Sequence, residues 1–204
     1  EIAIVGDVTR AQATEFASTI FGALPARPTV QEAARTDVIE RTPRSASSSA
    51  TLASLAPHAA ALVGVLTDAG EGADRARAWA LGEVTARALS PMVRETLRGD
   101  LAVSNEARAL WSPMEDMRGF SLLYTPILAP PEKVEAVADA AWGVFERAAR
   151  EGVSPARFEE ARERARRALA AELEEPMAWA GALADAARRG RGPAALLDRV
   201  NALS

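Results

Sequence analysis

Few residues of this chain have the types and spacing that chemistry needs. The best constellation is basic: Arg94 and Arg98, four positions apart, precede an alternating segment that contains Asn105. A guanidinium at a helix end, beside a strand edge, can clamp a peptide carbonyl or a carboxylate through paired hydrogen bonds. The same arginines also suit the negative end of a helix dipole with no ligand at all. On residue type alone the plainer role is favoured.

Other chemistry finds little support. His58 is the only histidine and follows Pro57 at the start of an apolar run, so it cannot supply the two-histidine set of a typical catalytic zinc site. The chain has no cysteine, hence no thiolate and no disulfide framework. Neither glycine-rich phosphate-binding pattern occurs, and Gly6-Asp7 reads as a plain strand-to-helix turn. Ser47-Ser48-Ser49 has no base partner in view and reads as loop. Glu159-Glu160 and Glu174-Glu175 read as solvated helix charges. Trp79, Trp111, Trp142 and Trp179 fall on apolar faces, where packing explains them better than stacking on a ligand.

Composition narrows the partners. A net charge of −4 and a pI near 5.2 argue against nucleic acid, whose phosphates need a positive face. No apolar run approaches the roughly 18 residues that span a bilayer, so no membrane span is expected. With 49% apolar but only 5% aromatic residues, alanine must carry much of the packing through close helix contacts. Arginine is the basic residue nearly throughout and Lys133 the only lysine, which fits a GC-rich bacterial genome. The compartment stays open between bacterial periplasm and cytoplasm. The sequence opens without methionine on Glu1-Ile2-Ala3-Ile4-Val5, already strand-like, so the expectation is a fragment of a longer protein, with 1–204 as a single α+β domain.

The elements that must position these residues follow from pattern. Ile2 to Val5 reads as a buried strand. Thr9 with Gln12 forms a capping-box signature for a helix with Ala13, Phe16, Ala17 and Ile20 on one face, ending at a left-handed Gly22. A loop follows through Ser49, with short extended pieces near Val38-Ile39. The nearly continuous apolar run His58 to Thr67 reads as a strand buried on both faces. A helix from Asp74 to Leu89 restarts at Pro91 as a short piece to Leu97, and Gly99-Asp100 makes a turn. Leu101 to Trp111 and Gly119 to Leu128 read as hairpin strands, with Pro126 marking an edge or a bulge. Helices are expected over 131–150 and from Pro155 to Leu173, paired antiparallel across the sheet, then over 177–188 and 193–202. The order of elements predicts an α+β two-layer sandwich: a mostly antiparallel sheet with helices on one face.

Three blocks in order carry a family resemblance. They are Ile2-Ala3-Ile4-Val5-Gly6-Asp7-Val8 with Phe21-Gly22-Ala23-Leu24-Pro25, then Leu89 to Leu101, then Gly152-Val153-Ser154 to Ala161. Together they resemble the insulinase-like (pitrilysin and mitochondrial processing peptidase) metallopeptidases. That resemblance implies homologous α+β halves closing around an unfolded peptide, with zinc held by an H-x-x-E-H motif in the N-terminal half. This chain lacks the motif, so the resemblance implies the C-terminal, non-zinc half, with no cofactor of its own. Its implied partners are a zinc-bearing half or subunit and an unfolded peptide substrate. The alternative is a proteolytically inactive structural or assembly subunit of the same family. In active members this half offers an arginine and, seven positions on, a tyrosine that help bind substrate and stabilise the tetrahedral intermediate. Arg98 matches the arginine and Asn105 falls at the tyrosine position; Arg94 is the lesser match.

Overall fold

A computed structural model gives the structure of the protein and describes residues 2–25, 46–50, 58–70, 74–99, 107–113, 120–188 and 195–203. These form α1 (Arg10–Phe21), β1 (Ala59–Thr67), α2 (Asp74–Gly99), β2 (Leu110–Pro113), β3 (Ser121–Ala129), α3 (Val134–Glu151), α4 (Pro155–Glu174), α5 (Pro176–Arg188) and α6 (Ala195–Ala202). The chain divides into two compact units: Glu1–Thr36 with Arg166–Ala202 and Ser204, and Asp37–Ala165 with Leu203.

The second unit holds the sheet. Its described strands lie in the order β1-β3-β2, all antiparallel, with Ala59 opposite Ala129, Thr67 opposite Ser121 and Leu110 opposite Tyr124. Side chains alternate across a strand, and β3 obeys this strictly. Ser121, Leu123, Thr125, Ile127 and Ala129 are buried while Pro126 and Leu128 are exposed. The buried side meets α2 and α3 in one core. Val93, Leu97, Val137, Ala141 and Val144 are there at 0% exposure. The fold is therefore the expected α+β arrangement, with α2 and α3 on one side of an antiparallel sheet.

Several local expectations need correction. The run in β1 is not buried on both faces: Leu62 and Leu66 are 62% and 45% exposed. Continuous hydrophobicity implies two covered faces, but α2 and α3 both pack on one. Pro91 does not divide the helix; α2 runs unbroken through it for 26 residues. The missing amide at Pro91 forfeits one helical bond, while the zero exposure of Val93 and Leu97 beyond it anchors the next turns in the core. Pro126 lies in the central strand, not an edge strand. It sits beyond Tyr124, the last residue of β3 paired with β2, so among the described residues β3 has a strand neighbour there on the β1 side alone.

Of the segment Leu101–Trp111, residues 101–106 lie outside those described, and β2 begins only at Leu110. The pieces near Val38-Ile39 are likewise outside. α2 is the helix that lies along α3; α4 reaches α2 through an ion pair from Arg157 to Glu95 at 3.7 Å. α3 spends its stripe Val137, Ala141, Val144 and Phe145 on the core it shares with α2 and the sheet. Trp142 faces outward, 41% exposed, so it is not a core residue.

In the first unit, the Thr9–Gln12 capping box forms as expected. Gly22 however stays right-handed at φ −68°. Ile2 to Val5 joins no described strand, and the apolar face of α1 is uncovered, with Phe16 and Ile20 at 56% and 61%. A strand needs a neighbour to satisfy its amides, and no described residue supplies one. The helix starts and stops downstream agree with the sequence. Gly152 closes α3 at φ 74°, and the Arg157 amide donates to Ser154 Oγ at 3.3 Å at the start of α4.

Two contacts set the fit of sheet to helix. Gly82 of α2 lies against the indole of Trp111 in β2, where an added β-carbon would come within 2.3 Å of Cε2. Thr125 is wholly buried, and its hydroxyl has no hydrogen-bond partner among the described residues. Gly82→Ala would gain about 1 kcal/mol of helix propensity but must displace a packed ring, at about 1–3 kcal/mol. With a packed indole to displace, the cost lies in the upper part of that range, so the net loss is about 1–2 kcal/mol and Tm falls by about 2–8 °C; an unchanged or raised Tm in calorimetry would show that Trp111 is not held there. Thr125→Val removes an unpaired buried hydroxyl without changing shape, so stability should rise by about 1 kcal/mol. A loss of stability in the same measurement would mean that the hydroxyl has a partner.

Candidate functional site

The basic residues singled out by sequence sit on the second half of α2. Val93 and Leu97 are at 0% exposure and one turn apart, which fixes the roll of the helix. Arg94 and Arg98 follow each of them by one residue, so both stand about 100° around the axis from the buried stripe. Helical geometry thus brings the two guanidiniums onto one side of α2.

Their environments differ. Arg98 is exposed in the last turn, where a cation is favoured by the helix dipole. Arg94 is half-buried, and its Nε is buried with no hydrogen-bond partner among the described residues. A guanidinium carries five donors and prefers all of them bonded, so an unanswered buried Nε–H marks Arg94 as the less satisfied of the two. Asn105 lies outside the described residues.

Ser90, which sequence reading passed over, shares this helix face. It precedes Arg94 by four residues, one turn toward the N-terminus. The Ala109 amide donates to Ser90 Oγ at 3.1 Å, and the hydroxyl lies 2.8 Å from the Ala86 carbonyl and 3.1 Å from that of Ala109. The chain entering β2 is therefore tied to α2 just before Pro91. Glu83 and Arg87, another turn back, form an ion pair at 3.1 Å. Nothing in the sequence distinguished Ser90 from any helical serine, because its partner is nineteen residues away and contributes only backbone.

A second feature also escaped the sequence reading. The side of the sheet away from α2 and α3 presents Ala60, Leu62, Gly64 and Leu66 of β1, Leu110 and Ser112 of β2, and Leu122, Tyr124, Pro126 and Leu128 of β3. None of these strand residues is charged, and the exposed Arg108 follows the same alternation just before Leu110. Leu62, Leu66 and Leu128 are 62%, 45% and 61% exposed. Gly64 sits opposite Tyr124, and a β-carbon there would come within 2.7 Å of the tyrosine's own. Single exposed apolar residues are ordinary, but a contiguous apolar surface on a sheet is not. The signal was present in the alternation of β1 against β3, once their register is known.

The described residues do not fit a zinc site: no three of His, Cys, Asp or Glu among them are grouped closely enough to hold a metal ion. None of their helices is long and apolar enough to cross a membrane.

No protein-family model and no curated protein matches this sequence. Solved structures do match in shape. The chain is similar to a protein described as an M16-like peptidase from Alicyclobacillus acidocaldarius, with TM-score 0.54 and 17% identity over 70% of this chain. It is also similar to the periplasmic protease PqqL from Escherichia coli, with TM-score 0.58 and 15% identity over 97% of this chain. It spans only 33% and 21% of those two chains. The chain therefore shares its fold with part of each of these two proteins.

Proposed function

We propose that this chain is the non-catalytic half of an insulinase-like metallopeptidase, forming one wall of the chamber that holds an unfolded peptide. The observation that carries this reading is the exposed apolar sheet face, with Leu62, Leu66 and Leu128, on the side that α2 and α3 leave uncovered. A folded protein with no partner would cover such a face with a second layer of helices. An extended peptide is suited to it, since its alternate side chains can pack against Leu62, Leu66 and Leu128. Burying one leucine-sized group there contributes about 1.5–3 kcal/mol.

Arg98 adds a polar anchor. Its guanidinium can donate to a main-chain carbonyl or a terminal carboxylate of the peptide, with Asn105 and Arg94 as further substrate-binding residues. Zinc, in this reading, is held by a homologous half or subunit, and this chain positions the substrate without activating water. The resemblance of three sequence blocks and the shape of the M16-like neighbours support the assignment.

The test uses the full chain and a fluorescein-labelled, unstructured 20-residue peptide, followed by anisotropy. The doubly substituted Leu62→Asp/Leu128→Asp chain should bind at least about tenfold more weakly, a loss of about 1.4 kcal/mol or more. Equal affinity would remove the sheet face from the reading. Arg98→Ala should weaken binding more than Arg94→Ala; equal affinities for the two variants would remove Arg98 as the anchor. A wild-type chain that ignores peptide yet forms a stable complex with a zinc-bearing homologue would be an assembly subunit instead.

A further inference from the structure

We infer that Ser90 is a positioning residue for Arg94, an inference that rests on the peptide-binding reading and deepens it. Ser90 and Arg94 occupy one face of α2, four residues apart. The hydroxyl of Ser90 accepts from the Ala109 amide and has two carbonyls, of Ala86 and Ala109, within hydrogen-bond distance. Ala107 and Ala109 are buried at 5% and 4% exposure, so the chain entering β2 is pressed into the core beside this face.

The bond falls where α2 is weakest. Pro91 has no amide, so the carbonyl of residue 87 loses its helical donor and the helix is free to bend there. Just before that point, Ser90 joins the helix to a second piece of backbone. Val93 and Leu97 hold the roll of the helix beyond Pro91, and the Ser90 tie sets how the entry into β2 lies against it; Arg94 is on the first turn of that part. Arg94 is half-buried and its Nε–H has no partner among the described residues, so its placement depends on the backbone that Ser90 ties to α2. Packing alone does not explain a hydroxyl with three backbone contacts across nineteen residues, since alanine would fill nearly the same space.

The experiment compares Ser90→Ala, Arg94→Ala and their combination in the full chain, with the same fluorescein-labelled 20-residue peptide. Thr67→Val serves as control, because it removes the Thr67–Ser121 hydroxyl contact of 2.6 Å elsewhere in the unit. The expected result is a threefold to tenfold loss of affinity for Ser90→Ala, no further loss when Arg94→Ala is added, and none for Thr67→Val at a similar drop in Tm. Ser90→Thr, which keeps the hydroxyl, should restore binding. Should Ser90→Ala fail to fold, Ser90→Cys takes its place in the same comparison. The Arg94 Nε–H resonance, identified by its disappearance in Arg94→Lys, should shift in the serine variants and stay in Thr67→Val.

Additive losses, a Ser90→Ala affinity equal to wild type, or an unmoved Arg94 resonance would each overturn the inference while leaving the peptide-binding reading in place. A wild-type chain with no affinity for the peptide would overturn both.

Discussion

The structure depends on how the central strand divides its two faces. One face of β3, with Leu123, Thr125 and Ile127, is sealed against α2 and α3 by side chains at or near zero exposure. That burial fixes the roll of α2 through Val93 and Leu97, and the roll of α2 decides where Arg94 and Arg98 can point. It also fixes the register by which Leu62, Leu66 and Leu128 must all fall on the other side. A slip of one residue would exchange the faces and place Pro126 and Leu128 in the core. The sealed face therefore specifies the open one.

Much of this was legible because local signals and tertiary packing agree. The Thr9–Gln12 box, the Ser154-Pro155 start and the stripe of α3 need only neighbours in sequence, and they appear where their residues say. What was missed depends on distant partners. The apolar run in β1 could not reveal that only one of its faces would be covered, since that is decided by where α2 and α3 lie. Proline at position 91 signals a break by local rules, yet the core contacts of Val93 and Leu97 outweigh one lost helical bond. Ser90 and Gly82 were invisible for the same reason. Their roles are set by Ala109 and Trp111, remote in sequence and adjacent in space. The arginine pair was found because four-residue spacing is itself a helical property, whereas the difference between an exposed Arg98 and a half-buried Arg94 is not.

A peptide-holding wall also has a physical economy that suits these residues. Affinity for an unfolded chain of mixed sequence cannot rely on fixed charge pairs, which select strongly for sign. A flat apolar surface accepts many side chains at modest affinity, and one or two guanidiniums can then orient the main chain, which every peptide shares. Exposed helix faces of this protein carry charge pairs of their own, as in the Glu160–Arg164 pair at 2.5 Å.

The account turns on what the open sheet face is for, and methyl-resolved NMR of the full chain tests it most directly. Titration with an unstructured peptide should move the methyl signals of Leu62, Leu66 and Leu128 while leaving those of Val93, Leu97 and Val144 in the sealed core unchanged. Leucine signals on that face that stay still while peptide binds elsewhere would contradict it.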